Sequence, residues 1–392
     1  MAGKLRTGYT DADIVVNERS EIIHKSFGYS TATISSTETK ITASDTTGRF
    51  GYSVAVGCGR IVIGAPEDDQ TQTNSGAAYV FDLDGNEIIK LKASDLSSFD
   101  EFGFSVAVGN GRIVVGAPFG DAGGSGGAAY IFDLDGNELA KIRASDRASG
   151  DQFGFSVTIG CGRIVVGAPY NDDVEENSGS AYIFDLDGNE IKKITSNDAG
   201  VGKFFGWGVA VGNGTIVVGE PGFGNITGSI QLFDLDGNYL STITPTGAVS
   251  GDEVGSSVAV GSGKIVTAAQ GDDTKASNAG AGYVFDLNGD NQIKLIAAAG
   301  SIFEALQFVA VSSGRILLSS GNASAVYVFD LDGGAEIERI TPSDDPGNFG
   351  DAIAMSSGKI VVGAFNDTGG GSAYIYDVPQ TYDTYIETLL EY

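Results

Sequence analysis

Short apolar runs separated by glycine-rich turns recur along the chain and predict β-strands rather than long helices. In one copy, the runs SVAV and IVIGA flank a Gly-Cys-Gly turn, and a third run, AAYVF, covers Ala77–Phe81. A fourth run over 87–93 follows the turn DLDGN. Tight glycine-containing turns between β-prone runs are typical of hairpins. Each copy is therefore predicted to form four antiparallel strands.

The first three runs of a copy are apolar throughout, whereas the fourth alternates between apolar and charged residues, as in Lys90, Leu91 and Lys92. A strand that is apolar on both faces lies between two layers, and an alternating strand has one face in solvent. We therefore expect stacked sheets with the fourth strand outermost. Small residues such as Gly64 and Gly116 would let neighbouring sheets approach closely.

The pattern occurs seven times, with four nearly identical copies followed by three degenerate ones. The copies open at Phe50, Phe102, Phe153, Phe205, Val254, Ala305 and Phe349. Repetition at this period indicates a repeat architecture, and four antiparallel strands per repeat form the blade of a β-propeller. The predicted fold class is all-β, a seven-bladed β-propeller of four-stranded antiparallel blades.

The two ends of the repeat region predict how the ring closes. Residues 39–45, TKITASD, match a fourth strand and its exit but precede the first full copy, while the seventh copy stops after its third strand at 372–378. An N-terminal strand is therefore expected to complete blade seven and remove an open edge. This predicts an N-terminal arm over 1–36 as a possible attachment segment, a propeller over 37–378 and a C-terminal tail over 379–392.

The FG opening, the GAP ending of the second strand and the following SGxAYVFD resemble the FG-GAP repeat. That repeat builds the seven-bladed propeller of integrin α subunits and of many bacterial and viral surface proteins, and the resemblance covers about 37–378. Integrin-type repeats carry a calcium loop of the form DxDxDGxxD between FG and GAP. Here a minimal turn such as 109–111 takes that place, so the calcium ligands of the family have no counterparts.

Net charge and the distribution of apolar residues exclude some classes of binding partner. The 392 residues include 51 Asp and Glu against 23 Lys and Arg, a formal net charge of −28, which repels a phosphate backbone. Nucleic acid is therefore not an expected partner. No apolar run suits a signal-peptide core or a bilayer span, so neither a signal peptide nor membrane insertion is predicted. Cys58 and Cys161 occupy equivalent positions in separate copies and are interpreted as free thiols.

The recurring DLDGN turn is a candidate metal site. Clustered carboxylates with a nearby amide oxygen could bind Ca²⁺, which prefers six to eight oxygen ligands. Asp-Gly is also a favoured hairpin turn in which the carboxylate accepts backbone N–H groups, and we favour that interpretation. Calcium stays open as a cofactor. The candidate ligands are Asp82, Asp84, Asn86, Asp133, Asp135, Asp185 and Asp187.

The loops between second and third strands should share one face with the connections between blades. These segments are long, variable and acidic, and binding residues commonly lie on variable loops held by a rigid scaffold. This loop face is the predicted interaction face, with plain solvated loops as the alternative. The candidate binding residues are Glu67, Asp68, Asp69 and Asn74 in blade 1, and Asn171, Asp172, Asp173, Glu175 and Glu176 in blade 3.

A cation opens the second strand of six copies. Such a ring could circle the channel mouth and dock a carboxylate or an acidic tail of a partner. Charge balance with nearby Asp side chains on the same face is the favoured alternative. The channel-mouth cations are Arg60, Arg112, Arg163, Lys264, Arg315 and Lys359.

The sequence offers few candidate catalytic residues. The sole histidine, His24, lies outside the repeats, and Asp and Glu are so abundant that no carboxylate pair stands out as catalytic. Trp207 replaces a Phe or Tyr of its sister copies and is interpreted as core packing. The leading hypothesis is a non-enzymatic structural or adhesion module of a larger assembly, such as a virion or surface appendage. It would be anchored by its termini and present acidic loops to protein partners, a cell-surface receptor or a glycan. A calcium-dependent surface adhesin and a carbohydrate-active enzyme are the alternatives.

Overall fold

The computed structural model describes residues 37–45, 48–69, 72–120, 126–274, 279–296, 308–320 and 324–378. All regular secondary structure in these ranges is β-strand, arranged as seven separate four-stranded antiparallel sheets. The prediction of a seven-bladed all-β propeller is therefore confirmed. The arm predicted over 1–36 and the tail predicted over 379–392 lie outside the described residues.

Each sheet is one blade. The first strand in the chain, β1, is Glu38–Ile41. Blades 1 to 3 then contain β2 Ser53–Gly57, β3 Arg60–Ala65, β4 Ala77–Phe81, β5 Glu87–Leu91, β6 Ser105–Gly109, β7 Arg112–Ala117, β8 Ala128–Asp133, β9 Glu138–Ile142, β10 Ser156–Gly160, β11 Arg163–Ala168, β12 Ser180–Phe184 and β13 Glu190–Thr195.

The remaining blades follow the same order along the chain. Blades 4 to 7 contain β14 Val209–Gly212, β15 Thr215–Glu220, β16 Ser229–Asp234, β17 Tyr239–Ile243, β18 Val254–Gly261, β19 Lys264–Ala269, β20 Ala281–Asp286, β21 Ile293–Leu295, β22 Phe308–Ser312, β23 Arg315–Ser320, β24 Ala325–Asp330, β25 Glu338–Ile340, β26 Ala352–Ser356, β27 Lys359–Ala364 and β28 Ser372–Asp377.

Blade 7 is completed by β1, as the sequence predicts. Lys40 lies opposite Tyr374 in an antiparallel pairing of β1 with β28. Glu38 anchors the start of the strand, because its carboxylate accepts hydrogen bonds from the N–H and Oγ of Ser343 at 3.0 and 2.6 Å and from the Tyr376 hydroxyl at 2.7 Å. The closing strand therefore ties blade 7 to blade 6 as well as to its own sheet.

The blades are held together by buried apolar residues of adjoining sheets. Phe50 at the start of blade 1 is fully buried and packs edge-on against Tyr79 and Phe81, with ring centroids 5.3 and 5.9 Å apart. Close approach requires glycine between blades: a Cβ on Gly64 would lie 2.0 Å from the carbonyl oxygen of Gly103 in blade 2. The expected role of small residues at this interface is confirmed.

The burial of the strands agrees with the expectation except for the innermost strand of each blade. Second and third strands are almost fully buried, as in β3 and β4, and the outer strand β5 is partly exposed. The innermost strands, expected to be buried on both faces, combine buried and half-buried residues, and no residue of β10 is fully buried. They have no further sheet on the side of the central axis, so they line a channel.

Candidate functional site

The loop face carries the loops between second and third strands and the connections between blades; in blade 1 these are 66–69, 72–76 and 92–101. Backbone hydrogen bonds join the two segments directly, from Phe99 N–H to the Thr73 carbonyl at 2.8 Å and from Glu101 N–H to the Asn74 carbonyl at 3.2 Å. The same link occurs in blade 3, where Gly202 N–H donates to the Glu176 carbonyl at 2.9 Å. The predicted face therefore exists and is hydrogen-bonded to its scaffold.

The acidic residues predicted for this face divide by exposure. In blade 3, Asp172, Asp173, Glu175 and Glu176 are exposed, as is Asp69 in blade 1.

Glu67 and Asn74 are half-buried, and Glu67 pairs with Arg49 at 3.0 Å. Asp68 and Asn171 are fully buried, so their assignment to an exposed binding surface is wrong.

Asp68 is buried because it belongs to a polar junction between blades. Its carboxylate accepts hydrogen bonds from Lys90 Nζ at 2.8 Å and from the Tyr79 hydroxyl at 3.1 Å. Lys90 and Tyr79 also bind Asp45, at 2.8 and 2.5 Å. Burial opposes ionisation of Asp45, but the bonds from Lys90 and Tyr79 outweigh it and keep the pKa of that carboxyl below its usual value.

This Tyr-Lys-Asp clamp recurs, with Tyr and Lys from one blade and Asp from the preceding blade. The described clamps are Tyr79–Lys90–Asp45, Tyr130–Lys141–Asp95, Tyr182–Lys193–Asp146 and Tyr374–Lys40–Asp344. The clamp Asp side chains are themselves partly exposed or exposed, and only the additional acceptor Asp68 of the first clamp is fully buried, where an unpaired charge would be costly. Many acidic residues of the repeats are thus structural rather than available for a ligand.

An aromatic arc at the loop-face mouth of the channel is the feature that the sequence analysis missed. It consists of Tyr52, Phe104, Phe155 and Trp207, each one position or two before the first strand of blades 1 to 4. Successive ring centroids are 5.1, 5.1 and 4.6 Å apart, and all four side chains are half-buried. Trp207 therefore lies in a surface cluster, and its interpretation as core packing is wrong.

Further rings extend the arc at both ends. Phe365 of blade 7 lies 5.4 Å from Tyr52, and Phe223 of blade 4 lies 4.5 Å from Trp207. Burial, followed by the charge of Glu101, raises the pKa of Tyr52 to about 12, so its hydroxyl stays protonated at neutral pH.

The positions equivalent to the arc are polar in blades 5 and 7, where Ser256 and Asp351 occupy them. Asp351 accepts a hydrogen bond from Asn348 Nδ2 at 2.7 Å, and Asn366 Nδ2 donates to Asn348 Oδ1 at 2.6 Å. Burial raises the pKa of Asp351 to about 6. The mouth is thus lined by aromatic rings along blades 1 to 4 and by polar groups at the equivalent positions of blades 5 and 7, with Asp351 next to the Tyr52 end of the arc.

Comparison with known proteins agrees with this geometry. Six segments of the chain match the FG-GAP repeat: 36–81, 86–132, 137–184, 189–233, 239–285 and 335–376. The chain belongs to the FG-GAP repeat family. Each segment begins near an outer strand and ends with the third strand of the next blade. No curated protein matches the chain.

In this FG-GAP propeller the DLDGN turns are tightly hydrogen-bonded. Asp82 Oδ1 accepts the N–H groups of Asp84 and Asn86 at 3.0 and 2.8 Å, and its Oδ2 accepts Asn86 Nδ2 at 2.8 Å. The same bonds form at Asp133, Asp185 and Asp234.

The bonds from the Asn86 side chain and backbone lower the pKa of Asp82. Within the described ranges, no group of three or more His, Cys, Asp or Glu side chains could hold a metal ion. The geometry favours the turn interpretation, and calcium binding stays a prediction.

The six cations lie on the opposite, turn face, where the hairpin turns are. Lys264 binds Asp286 at 2.7 Å and Lys359 binds Asp377 at 2.6 Å, both at the end of a third strand.

Arg163 reaches the neighbouring blade, where it binds Asp236 at 3.2 Å and the Leu235 carbonyl at 2.9 Å. Arg60, Arg112 and Arg315 donate to the carbonyl of the preceding glycine. The ion pairs of Arg163, Lys264 and Lys359 favour charge balance at those three positions, and docking of an acidic tail stays a prediction.

The sequence contains a pattern from which the aromatic arc could have been suspected. It lies at the third position of the FG motif, which reads Tyr, Phe, Phe and Trp in the first four copies and Ser or Asp in blades 5 and 7. Alignment of the copies shows this asymmetry, but only the ring brings the four positions together. No helix in the described part of the chain is long and apolar enough to span a bilayer.

Proposed function

We propose that this FG-GAP propeller is a non-enzymatic interaction or adhesion module that binds its partner on the loop face. The aromatic arc is the observation that carries the proposal. Aromatic side chains clustered at a surface are the usual energetic centres of protein interfaces and ligand sites. No comparable cluster was expected on a face described only as acidic loops.

Exposed apolar side chains also occur on loop-face segments of blades 1 to 4. Phe99, Val174, Val201 and Val249 are 57%, 51%, 62% and 60% exposed, and all four lie on loop-face segments. The other exposed large apolar side chains lie on or beside outer strands, so the proposal rests on the aromatic arc rather than on exposure alone; they are Ile88, Leu139, Ile191, Tyr239, Leu240 and Ile337. The exposed acidic residues of blade 3 border this area and would favour a partner without strong negative charge.

The non-enzymatic part of the proposal is supported by how the carboxylates are used. Asp45, Asp68, Asp95 and Asp146 bind Tyr and Lys at blade junctions, which fixes them as structural acceptors. Attachment within a larger assembly at an external surface, such as a virion or appendage, would use residues 1–36 and 379–392. Deletion of 1–36 that spares the β1 strand should abolish incorporation into that assembly, and unchanged incorporation contradicts the anchoring role.

Site-specific photo-cross-linking tests the loop face directly. A benzophenone side chain is introduced at Val201, and the matched control carries it at Leu240 on an outer strand, where the native side chain is 54% exposed. Adducts formed in the native source from Val201 but not from Leu240 support the proposal. Adducts from Leu240 alone, or equally from both positions, contradict it.

A further inference from the structure

The two sides of the channel mouth differ in chemistry in a way that selects a ligand class. Half-buried rings of Tyr52, Phe104, Phe155 and Trp207 line blades 1 to 4, and Asp351 with its amide neighbours lies on blade 7, next to the Tyr52 end of the arc. We propose that this mouth binds a neutral oligosaccharide. The inference rests on the proposed loop-face function and adds the chemistry of the ligand.

The aromatic side suits the apolar faces of sugar rings. A pyranose presents a face of C–H groups that packs on an aromatic ring, while its hydroxyls lie around the edge and need polar partners. The ring centroids of the arc follow one another at 5.1, 5.1 and 4.6 Å. These steps are comparable to the length of one pyranose unit, so a chain of sugars can follow the arc.

The polar side offers acceptors that the protein leaves unused. Asn348 bonds to Asp351 Oδ2, and within the described residues Oδ1 of Asp351 makes no hydrogen bond. Glu101 lies beside the arc, three residues before Phe104, and this half-buried carboxylate also makes no side-chain hydrogen bond in the same part of the chain. Sugar hydroxyls donate to carboxylates, and such bonds satisfy groups that are otherwise costly to bury.

Amide groups beside carboxylates of blades 5 and 7 favour a polyol over a bare cation. Asn348 and Asn366 are adjacent in blade 7, and Gln270 binds Glu253 at 2.5 Å in blade 5. Amides both donate and accept hydrogen bonds, which matches hydroxyl groups, whereas a cation requires acceptors only. The formal net charge of −28 disfavours sialylated and sulfated glycans.

Trp207 is the sole tryptophan of the chain, so its fluorescence reports on the arc without labelling. The full-length protein is applied to a printed array of neutral, sialylated and sulfated oligosaccharides, and bound neutral ones are titrated while Trp207 emission is recorded. We expect binding to neutral oligosaccharides with a saturable change in Trp207 emission. The inference is overturned if no neutral oligosaccharide binds, or if only sialylated or sulfated ones bind.

Two variants and a control locate the ligand. Phe104→Leu keeps apolar volume but removes the ring, and Asp351→Ala removes the acceptor; each should weaken binding at least tenfold. Tyr239→Leu removes an exposed ring on the outer strand β17, away from the loop face, and should leave affinity unchanged. Unaltered affinity in Phe104→Leu places the sugar elsewhere and refutes the site, provided that far-ultraviolet circular dichroism shows a native fold.

A lysine-rich peptide serves as the competing ligand. Trp207 quenching by this peptide without any response to neutral oligosaccharides would assign the mouth to a cationic protein segment and overturn the inference. Cross-linking from Val201 separates this outcome from failure of the proposed function. If Val201 forms adducts but no oligosaccharide on the array binds, the loop face stays the proposed interaction surface and only the oligosaccharide inference is refuted.

Discussion

Replacement of Lys90 by Met tests whether the Tyr-Lys-Asp clamp holds the ring together. Lys90 Nζ lies 2.8 Å from both Asp45 and Asp68, and the Asp68 side chain is 1% exposed. Methionine retains the stem that packs near the Tyr79 ring but removes the charge. The Asp68 carboxylate would then remain buried without the ammonium group of Lys90.

The expected loss follows from burial. Removing one partner of a buried ion pair costs about 3–5 kcal/mol, and because Lys90 itself is 14% exposed we expect the lower end, about 3 kcal/mol. Lys359→Met is the matched control, since Lys359 pairs with Asp377 at 2.6 Å but that carboxylate is 55% exposed. An exposed pair contributes about 0–1 kcal/mol.

Urea unfolding followed by Trp207 emission measures both variants, and amide hydrogen exchange in β4 and β5 shows whether the loss is local. The double variant Lys90→Met/Asp68→Asn should recover part of the loss, because it removes the buried charge; blade 3 already has Asn171 at this position. Equal losses in Lys90→Met and Lys359→Met, or no recovery in the double variant, would refute the reasoning.

Three further outcomes are expected. The folded pKa of Asp351 is raised to about 6, above its unfolded value, so its ionisation destabilises the fold progressively between about pH 4 and pH 6 and fully above pH 6; Asp351→Asn should add about 1 kcal/mol at pH 7.5 and little at pH 4, measured by urea unfolding. Cys58→Asn should raise the melting temperature by an amount equivalent to about 0.5–1 kcal/mol of unfolding free energy. Asn110 at the same turn position accepts a hydrogen bond from Gly162 N–H at 3.3 Å, and the φ of Cys58, 50°, is one that Asn adopts readily. An unchanged or lower melting temperature counts against this expectation. Gly64→Ala should lower the unfolding free energy by about 3 kcal/mol or more, because the added Cβ clashes with the Gly103 carbonyl. Gly59→Ala should lower it by about 1 kcal/mol, because its Cβ would have no atom within 4 Å and only the φ of +71° is unfavourable. Equal losses in urea unfolding would contradict the clash.

Strand order and ring closure were predictable because they depend on local patterns. Each blade pairs strands that are neighbours in sequence, and turns such as 58–59 fix the hairpins through their residue types. The closing pair of Lys40 with Tyr374 spans nearly the whole chain, yet a stray fourth-strand pattern at one end and a missing one at the other predicted it.

Burial of single acidic residues was not predictable. Asp68 and Asp69 are adjacent and chemically identical, but Asp68 is buried against Tyr79 and Lys90 while Asp69 is exposed. The difference depends on which way each side chain leaves the loop and on Asp45, which another segment supplies. No single repeat contains that information.

The sequence alone determined the number of blades, their strands and the strand that closes the ring, because hairpin pairing is encoded by neighbouring residues. Only the tertiary structure decided that Tyr52, Phe104, Phe155 and Trp207 form one arc and that Asp351 lies next to its Tyr52 end. These residues come from separate blades, and contacts between blades depend on how the sheets pack around the axis. Packing of distant segments is a property of the whole ring, so no local pattern specifies it.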